Sequence, residues 1–319
     1  MSRPASTEVG QAGGPGNRRD PLTRAAVDVG AVRHRPPVSQ WLPTVLLTIA
    51  LLGLVVYAAN NPRFEWDVVA KYFFAPQILQ GLALTIALGV LCTAIGIVIG
   101  TLVAIMRSAD FAPLRWFAMA YTGFFRAIPP LVQLLFWYNL AYLQPFIRIE
   151  LPWLGTIFDA RTNDIVTPLL AAVIGLSLHE GAYQSEIMRA GFLSVPAGQR
   201  EAARALGLGA ATIFFRVTLP QALVAIIPPT GSNLVGTMKA ISLVSVLGLT
   251  DLLHSAEIIY GQTYEVVPLL IVVCAWYVIV VSLLQFVQGH VESYVQRGLR
   301  LTTNSGRTIA KKRRKEGSK

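Results

Sequence analysis

Charged residues are scarce in this 319-residue sequence, where Asp, Glu, Lys and Arg make up 14% of the residues and hydrophobic types make up 54%. A soluble globular domain carries about 25% charged residues. The charges that are present stand mainly in the two ends and in short segments between apolar runs. A soluble enzyme, which needs charge spread along its length, is therefore disfavoured, and lipid is the expected solvent for much of the chain.

Cysteine is also scarce, with Cys92 and Cys274 as the only two. Both stand inside apolar runs, so they provide neither a disulfide framework nor a set of metal ligands. We interpret them as small buried hydrophobic residues. The first 40 residues lack an apolar run, so we expect no cleavable signal peptide.

Six apolar runs are long enough to cross a bilayer as helices, which takes about 20 residues. Helices are the expected form because lipid cannot satisfy open backbone groups. We therefore predict an all-α integral membrane protein. Its six predicted transmembrane helices are Leu42–Ala59, Ile78–Met106, Leu114–Leu143, Ile165–Met188, Leu219–Leu249 and Val266–Val287.

The net charge of +10 raises the question of a nucleic-acid partner, but the placement of the charge favours membrane orientation instead. If the N-terminus is cytoplasmic, six spans return the C-terminus to the same side. Arg and Lys are then concentrated in the cytoplasmic segments, as the positive-inside rule requires. We therefore expect both termini in the cytoplasm, no nucleic-acid partner, and a basic run at 311–315 that anchors to the headgroups of the lipid bilayer.

The chain is expected to divide into four segments. Residues 1–40 are rich in Gly, Pro and Arg without hydrophobic periodicity, so we interpret them as a disordered basic cytoplasmic tail. Residues 41–60 form an extra N-terminal transmembrane helix, and residues 78–290 form one unit of five spans. Residues 291–319 form a second basic cytoplasmic tail.

The second span contains three glycines, Gly89, Gly96 and Gly100, at offsets of seven and four residues. This spacing places them on one face of a helix. A glycine face lets another helix approach closely, so we expect tight helix packing at this position.

The connector Ser194–Pro220 carries the signals of a short helix between two spans. Pro196 suits the first turn of a helix and Gly207 suits its end, which predicts a helix between them. Such a helix is not needed to cross the membrane, and the small side chains of Ala202 and Ala203 favour close docking into a groove of a partner. The alternative is a helix that rests on the membrane surface, although such helices favour Leu and Phe over Ala.

The connector contains Glu201-Ala202-Ala203, then Gly207, and then Val217, Leu219 and Pro220. Three further stretches have a distinctive sequence: Phe125–Gln133, Gly181–Ile187 and Lys239–Leu243. In this order they resemble motifs of the permease subunits of bacterial binding-protein-dependent ABC importers, in particular those of the polar amino-acid uptake family. The connector resembles the EAA loop of that family, with Val217 where the family has Ile. Together the matches cover about residues 78–290.

The resemblance implies a fold and a set of partners. The last five spans would form the type I ABC importer permease core in the inner membrane. Two permease subunits, identical or homologous, would form the pathway, and two ATPase subunits would sit beneath them. An extracytoplasmic binding protein would deliver a polar amino acid. ATP and Mg would be bound by the partner ATPase, and this chain would bind no cofactor and no metal.

In that family the EAA helix fits a cleft on the ATPase, so the resemblance assigns the coupling role to five residues: Glu201, Ala202, Ala203, Arg204 and Gly207. Glu201 and Arg204 are three residues apart and can pair across one helical turn. The chain has no Gly-x4-Gly-Lys-Ser/Thr phosphate loop, so the energy has to come from a partner. We therefore expect a transport subunit rather than an enzyme.

An ionisable residue within a span is a candidate for function, because it costs a few kcal/mol unless it is paired. Arg126 lies within the third run and is followed by Pro129 and Pro130, which remove backbone donors and break the helix. Broken helices often line substrate sites in transporters. Two interpretations of Arg126 stay open: contact with the substrate carboxylate, or an internal pair with Glu180 or Glu186 that holds two spans together.

Five further polar residues join Arg126 as candidate pathway residues: Gln133, Glu180, Tyr183, Asn233 and Lys239. Helix packing is the alternative for Glu180 and Tyr183. Asn233 and Lys239 follow Pro228-Pro229, which predicts a second disrupted helix. Extension of Lys239 to the outer headgroups is the alternative for that residue.

Other functions use part of the same pattern. An ABC permease for another small solute also fits the EAA loop. A stand-alone secondary transporter would use the charges within the spans for ion coupling, but it needs no docking helix. An intramembrane enzyme needs a catalytic set at one depth, and the sequence offers neither paired His ligands nor a Ser–His arrangement. A receptor or scaffold would show no transport at all.

Overall fold

The computed structural model describes residues 41–151, 153 and 155–316, with side chains described as far as Val295. The predicted disordered tail at 1–40 and the last three residues of the predicted tail at 291–319 lie outside the described residues. The chain divides into two units, one ending at Asn61 and the other beginning at Pro62. The described part of the first unit is one largely apolar helix, α1 (Trp41–Asn60).

The second unit is mainly helical. Its helices are α2 (Trp66–Phe73), α3 (Pro76–Arg107), α4 (Ala112–Ala127), α5 (Pro130–Tyr138), α6 (Leu140–Leu143), α7 (Thr162–Ile165), α8 (Pro168–Leu193), α9 (Ala197–Ala205), α10 (Ala210–Ile213), α11 (Leu219–Ala240), α12 (Leu252–Thr263) and α13 (Val266–Glu316). Short 3-10 segments lie at Pro62–Phe64 and Ile241–Leu247, and a π-helical turn lies at Phe214–Thr218. Prolines occupy the first position of α3, α5 and α8, where a missing backbone donor costs little, and the second position of α4 and α11.

The connector between the third and fourth predicted spans contains a β-hairpin, which corrects the all-α expectation. Strands β1 (Phe146–Leu151) and β2 (Gly155–Arg161) pair antiparallel. The alternation of β1 places isoleucines on one face of the hairpin and charged residues on the other. Arg148 forms an ion pair of 2.9 Å with Asp159 of the opposite strand on the charged face.

The third predicted span, Leu114–Leu143, is not one helix. As the two prolines predict, the helix stops after Ala127 and resumes at Pro130, with Ile128 and Pro129 in extended conformation. The result is two helices, α4 and α5, at an interruption that exposes backbone groups. The predicted run therefore holds a broken helix and ends with the short α6.

Helix α8 is the centre of the second unit, since α3, α4, α5 and α11 all pack against it. The hydroxyl group of Tyr121 on α4 donates to the backbone oxygen of Leu178, at 2.7 Å. Next to α5, the side chains of Leu134 and Leu176 are buried in the largest apolar cluster, which also contains Cys92. Cys92 is buried as expected, whereas Cys274 on α13 is exposed, which corrects that part of the cysteine interpretation.

The glycine face of α3 is confirmed as a site of close helix packing. A Cβ atom on Gly96 would lie 2.4 Å from Cγ of Glu180, and one on Gly100 would lie 2.8 Å from the backbone carbon of Gln184. Both contacts are with α8. Gly89 lies against Met238 of α11 in the same way. Only the missing side chains let these helices approach so closely.

The disrupted helix predicted at Pro228-Pro229 is wrong, because α11 continues through both prolines to Ala240. The two prolines lack the donors for the backbone oxygens of Val224 and Ala225, and neighbouring helices stabilise α11 around them. The side chain of Gln288 on α13 donates to the backbone oxygen of Pro228 at 3.1 Å. Irregular backbone begins only at Ile241, in the 3-10 segment.

By length and composition, four helical stretches of the described chain could cross a membrane: Trp41–Asn60, Pro76–Arg107, Ala210–Leu247 and Val266–Val295. These correspond to the first, second, fifth and sixth predicted spans. The third is divided into two shorter helices. Helix α8 is 26 residues long, but its polar residues reduce its hydropathy. The protein is therefore mainly helical with several membrane-compatible helices.

Candidate functional site

The connector between α8 and α11 contains a short helix, α9, at the position that the sequence predicts. Pro196 precedes it, and Gly207 follows it with a backbone φ of 74°, a value that glycine adopts without strain. The amide of Gly207 donates to the backbone oxygen of Arg204, and the amide of Leu208 donates to that of Ala203. These two bonds form a Schellman motif, which satisfies the last carbonyl groups of the helix and ends it sharply.

One face of α9 is free and made mainly of small residues. Residues at offsets of three, four and seven share a helix face, and four exposed residues have this spacing: Gly198, Glu201, Ala202 and Ala205. A surface with one carboxylate among side chains no larger than a methyl group lets a partner approach the helix closely. We call these four residues the outer face of α9.

Two observations bear on the coupling prediction, which stays a prediction. Ala203 is 5% exposed and packs within the chain's own fold, whereas Ala202 is exposed. The predicted pair of Glu201 with Arg204 is absent, since no ion pair within 4 Å joins these two described side chains. Arg204 instead lines a cavity beside α10.

The interruption between α4 and α5 is held together by Gln133. Pro129 cannot donate to the backbone oxygen of Phe125, and the side-chain amide of Gln133 donates to that oxygen instead, at 2.9 Å. The same amide nitrogen contacts the backbone oxygen of Ile128 at 2.9 Å and lies 3.1 Å from Nδ1 of His179. Gln133 is 4% exposed. Its described contacts are with the backbone of the interruption and with His179, and not with an open channel.

Arg126 lies at the end of α4, exposed, directly before the interruption. Its guanidinium carbon is 5.1 Å from the centre of the Tyr183 ring, which is a cation–π contact. The Tyr183 ring is in turn 5.0 Å from the His179 ring. The structure therefore brings together three predicted residues, Arg126, Gln133 and Tyr183, with His179 as the link between them.

Of the two interpretations of Arg126, the internal pair with Glu180 or Glu186 is not formed in this structure. Glu186 binds Arg107 on α3 and, at 2.8 Å, Arg189 on its own helix. Arg126 forms no ion pair within 4 Å with a carboxylate of the described chain.

Glu180 belongs to a second cluster, which joins α8 to α11. It is 3% exposed and accepts hydrogen bonds from the side chains of Asn233, Thr237 (2.7 Å) and Gln184 (3.0 Å). Thr230 of α11 also donates to the amide oxygen of Gln184. Three donors satisfy the buried carboxylate without a cation, so Glu180 and Asn233 contact each other and link two helices in this conformation.

Lys239 is brought to neither cluster. It is exposed at the end of α11, and its backbone oxygen accepts a hydrogen bond from Ser242. Three further residues belong to these sites although the sequence did not predict them: His179, Gly198 and Ala205. The spacing of Gly198 and Ala205 from Glu201 could have identified them, whereas nothing in the local sequence relates His179 to Gln133. Within the described chain, no three His, Cys, Asp or Glu residues are grouped so as to hold a metal ion.

The fold and the two sites define a class, namely a multi-pass membrane protein with a short exposed helix in a connector and a polar cluster at a broken helix. Residues 96–296 match the family described as binding-protein-dependent transport system inner membrane component. The chain belongs to this family. The interpretation of the sequence as an ABC importer permease is confirmed.

Individual relatives agree. The chain is 34% identical over 274 residues to the arginine transport system permease protein of Corynebacterium glutamicum, covering 85% of this chain and 84% of that one. It is 36% identical over 200 residues to a glutamate/aspartate import permease protein of Escherichia coli, covering 62% and 83%. A solved structure described as an amino acid ABC transporter with histidines superposes with a TM-score of 0.60 at 30% identity, covering 72% of this chain and 98% of that one.

Proposed function

We propose that this chain is the permease subunit of an ATP-driven importer of a polar amino acid in the bacterial inner membrane. The single observation that carries the proposal is the free outer face of α9, a small-residue surface on a helix that crosses nothing. Family membership supports the class, and relatives described as transporting arginine, glutamate or aspartate, glutamine and cystine support the substrate.

The proposal includes six membrane spans with both termini in the cytoplasm. The broken pair α4 and α5 together makes one crossing and α8 makes another, in addition to the four apolar stretches. Six crossings return the chain to the side on which it began. That side carries most of the arginines of the connectors, in agreement with the positive-inside rule.

The proposed assembly contains two ATPase subunits, a second permease subunit, identical or homologous, and an extracytoplasmic binding protein. The outer face of α9 docks on an ATPase, with Ala202 at the contact and Gly207 defining where the helix ends. ATP and Mg are bound by the ATPase, and this chain binds no cofactor. Closure of the ATPases then moves α9 and the helices on either side of it.

Arg126 is proposed to meet the carboxylate of the substrate. Its guanidinium is exposed, forms no ion pair with a carboxylate of the described chain, and lies 5.1 Å from the centre of the Tyr183 ring. A guanidinium suits a carboxylate because it can donate two parallel hydrogen bonds to it. The adjacent interruption provides backbone groups for the rest of the ligand. Gln133, Glu180, Asn233 and Lys239 remain candidate pathway residues, with Glu180 and Asn233 available only if α8 and α11 separate.

Docking is tested by Ala202→Trp, with Gln199→Trp as the matched control on the flank of α9, outside the outer face. A large ring at a closely packed contact costs about 1–3 kcal/mol. We expect Ala202→Trp to reduce co-purification of the ATPase about tenfold, while Gln199→Trp retains it. Equal retention by both variants would mean that α9 is not the docking element.

Substrate contact is tested by Arg126→Ala and Arg126→Lys in proteoliposomes that contain all partners. A lysine keeps the charge but loses the planar fork, so we expect partial uptake with Arg126→Lys and a loss of uptake of at least about tenfold with Arg126→Ala. Arg161→Ala, on the β-hairpin, is the control. Wild-type uptake by Arg126→Ala would exclude the contact. Uptake that persists without the ATPase would favour a secondary transporter.

A further inference from the structure

A cavity of about 370 Å³ opens where the ends of three long helices meet α9. Four arginines line it: Arg107 at the end of α3, Arg115 near the start of α4, Arg189 near the end of α8, and Arg200 on α9. Because these residues come from four different elements, tertiary folding brings them together. We call this space the arginine cavity.

The arginine cavity is strongly positive. Glu186 binds both Arg107 and Arg189 and is the only described carboxylate that forms an ion pair with any of the four. Arg115 and Arg200 form no ion pair within 4 Å in the described chain. One carboxylate among four guanidinium groups leaves an excess of hydrogen-bond donors that suits an anion with several oxygens.

The rest of the lining is apolar, with Met119, Phe192 and Leu193 beside the guanidinium groups and Ser108 as the polar exception. Leu193 is 64% exposed. A small soluble anion makes no favourable contact with these apolar side chains. A molecule with a charged group and hydrocarbon chains can contact both the guanidinium groups and the apolar side chains. The lining therefore favours a lipid over a free ion.

The position of the arginine cavity fits a lipid headgroup. Helix α3 has 32 residues, so at ~1.5 Å per residue it is about 48 Å long, and its ends extend beyond a hydrocarbon core of about 30 Å. Arg107 is its last residue. Basic pockets between transmembrane helices on the cytoplasmic side are suited to the headgroups of anionic lipids.

We propose that the arginine cavity binds the phosphate group of an anionic phospholipid of the cytoplasmic leaflet, with Arg115 and Arg200 as its principal donors. The inference rests on the proposed function only for the orientation of the chain. A phosphate held between Arg115 and Arg200 connects α4 to α9. The lipid thereby stabilises the position of α9 relative to the membrane-spanning helices.

The test is native mass spectrometry of the full chain purified in detergent, titrated with phosphatidylglycerol, phosphatidylcholine or inorganic phosphate. We expect retained phosphatidylglycerol adducts on the wild type and a decrease of at least about tenfold on Arg115→Gln/Arg200→Gln. Arg216→Gln is the matched control, because Arg216 is an exposed arginine of the same connector that lies outside the lining. Phosphatidylcholine should bind all chains weakly and equally.

Equal phosphatidylglycerol binding by the wild type and the double variant would overturn the proposal, as would an equal loss with Arg216→Gln. Binding of inorganic phosphate with the same arginine dependence, without retained phosphatidylglycerol, would overturn the lipid assignment. If the double variant does not fold, the single variants and Arg115→Lys/Arg200→Lys, which keeps the charge and should keep most of the binding, make the same comparison. Lipid binding by a chain that fails to transport would contradict the proposed function alone.

Discussion

At the scale of single residues, the interior of the second unit depends on glycine and on satisfied polar groups. Gly100 lies against backbone atoms of Gln184 and Ser185, which cannot rotate away as the end of a side chain can. Glu180, one turn along α8, accepts hydrogen bonds from three neighbouring side chains. Small changes at either position are therefore expected to have large effects on stability.

We expect Gly100→Ala to lower the free energy of unfolding by about 1–3 kcal/mol, because its Cβ would lie 2.8 Å from two backbone atoms. Gly289→Ala on α13 is the control, since a Cβ there meets nothing within 4 Å. That control should be neutral or stabilise by about 0.5–1 kcal/mol. Thermal unfolding in detergent measures both, and equal midpoints would contradict the packing described for α3.

We expect Glu180→Ala to destabilise the protein by about 1–3 kcal/mol, because the donors of Asn233, Thr237 and Gln184 lose their shared acceptor. Glu180→Gln keeps one acceptor oxygen and should cost less. The comparison uses the same thermal unfolding assay. If Glu180→Gln and Glu180→Ala are equally mild, hydrogen bonding is not what the buried carboxylate contributes.

Asp251 caps α12 and is fully buried. It accepts the backbone amides of Leu253 and His254, yet burial raises the pKa of its carboxyl group to about 6. The folded protein therefore keeps a proton that the unfolded chain, with a carboxyl pKa near 3.8, has already released. Stability contributed by this group is complete below about pH 4 and is lost as the pH rises through about 6.

The pH prediction is tested by Asp251→Asn, which keeps a capping side chain but does not titrate. We expect the midpoint of the wild type, relative to that of the variant, to fall between about pH 4 and pH 7 and then to stay constant. Using the difference between the two proteins cancels the titration of all other groups. A difference that does not change with pH would show that Asp251 has an ordinary pKa.

At the scale of elements, α9 is a helix of nine residues whose boundaries are set by its ends. An isolated helix of this length is marginal in water, so the Schellman motif at Gly207 has a large influence. A side chain at a φ of 74° costs about 1–2 kcal/mol, whereas Gly209 has a φ of −67° that any residue adopts. A methyl group added at either glycine would meet no other atom within 4 Å, so the two positions form a matched pair.

We expect Gly207→Ala to increase amide hydrogen exchange across α9 by about 5- to 30-fold, the equivalent of about 1–2 kcal/mol of local stability. Gly209→Ala should leave that exchange unchanged. Exchange detected by mass spectrometry on peptides that cover 197–205 reports the result. Equal exchange in the two variants would mean that the left-handed glycine does not hold the helix.

Elements with local signals could be predicted from the sequence. Pro196 and Gly207 marked α9, and Pro129 and Pro130 marked the interruption between α4 and α5. The β-hairpin was not predicted although β1 alternates polar and apolar residues, because its strands of six and seven residues are far shorter than the runs of about 20 residues by which membrane helices are recognised. The continuous α11 was mispredicted because it packs against α3, α8 and α13, and the local sequence does not show which neighbouring helices support a helix at its prolines.

At the scale of the whole molecule, the sequence does not predict which charged residues form ion pairs with each other. Glu186 binds Arg107 rather than Arg126 because α3 ends beside α8, and no local pattern reveals which helix ends are neighbours. The same holds for the arginine cavity, to which four elements contribute. Family membership, in contrast, was predictable, since it rests on short contiguous motifs that can be recognised without knowing how the helices pack.

The central claim is that an external ATPase acts through the outer face of α9 to move an amino acid through this chain. The most direct measurement is uptake of labelled amino acids into proteoliposomes that contain the complete assembly, with ATP supplied on the side of α9. We predict accumulation by the wild type and by Gln199→Trp, a decrease of at least about tenfold with Ala202→Trp, and no accumulation without ATP. Full accumulation by Ala202→Trp, or accumulation in the absence of the ATPase, would contradict the account.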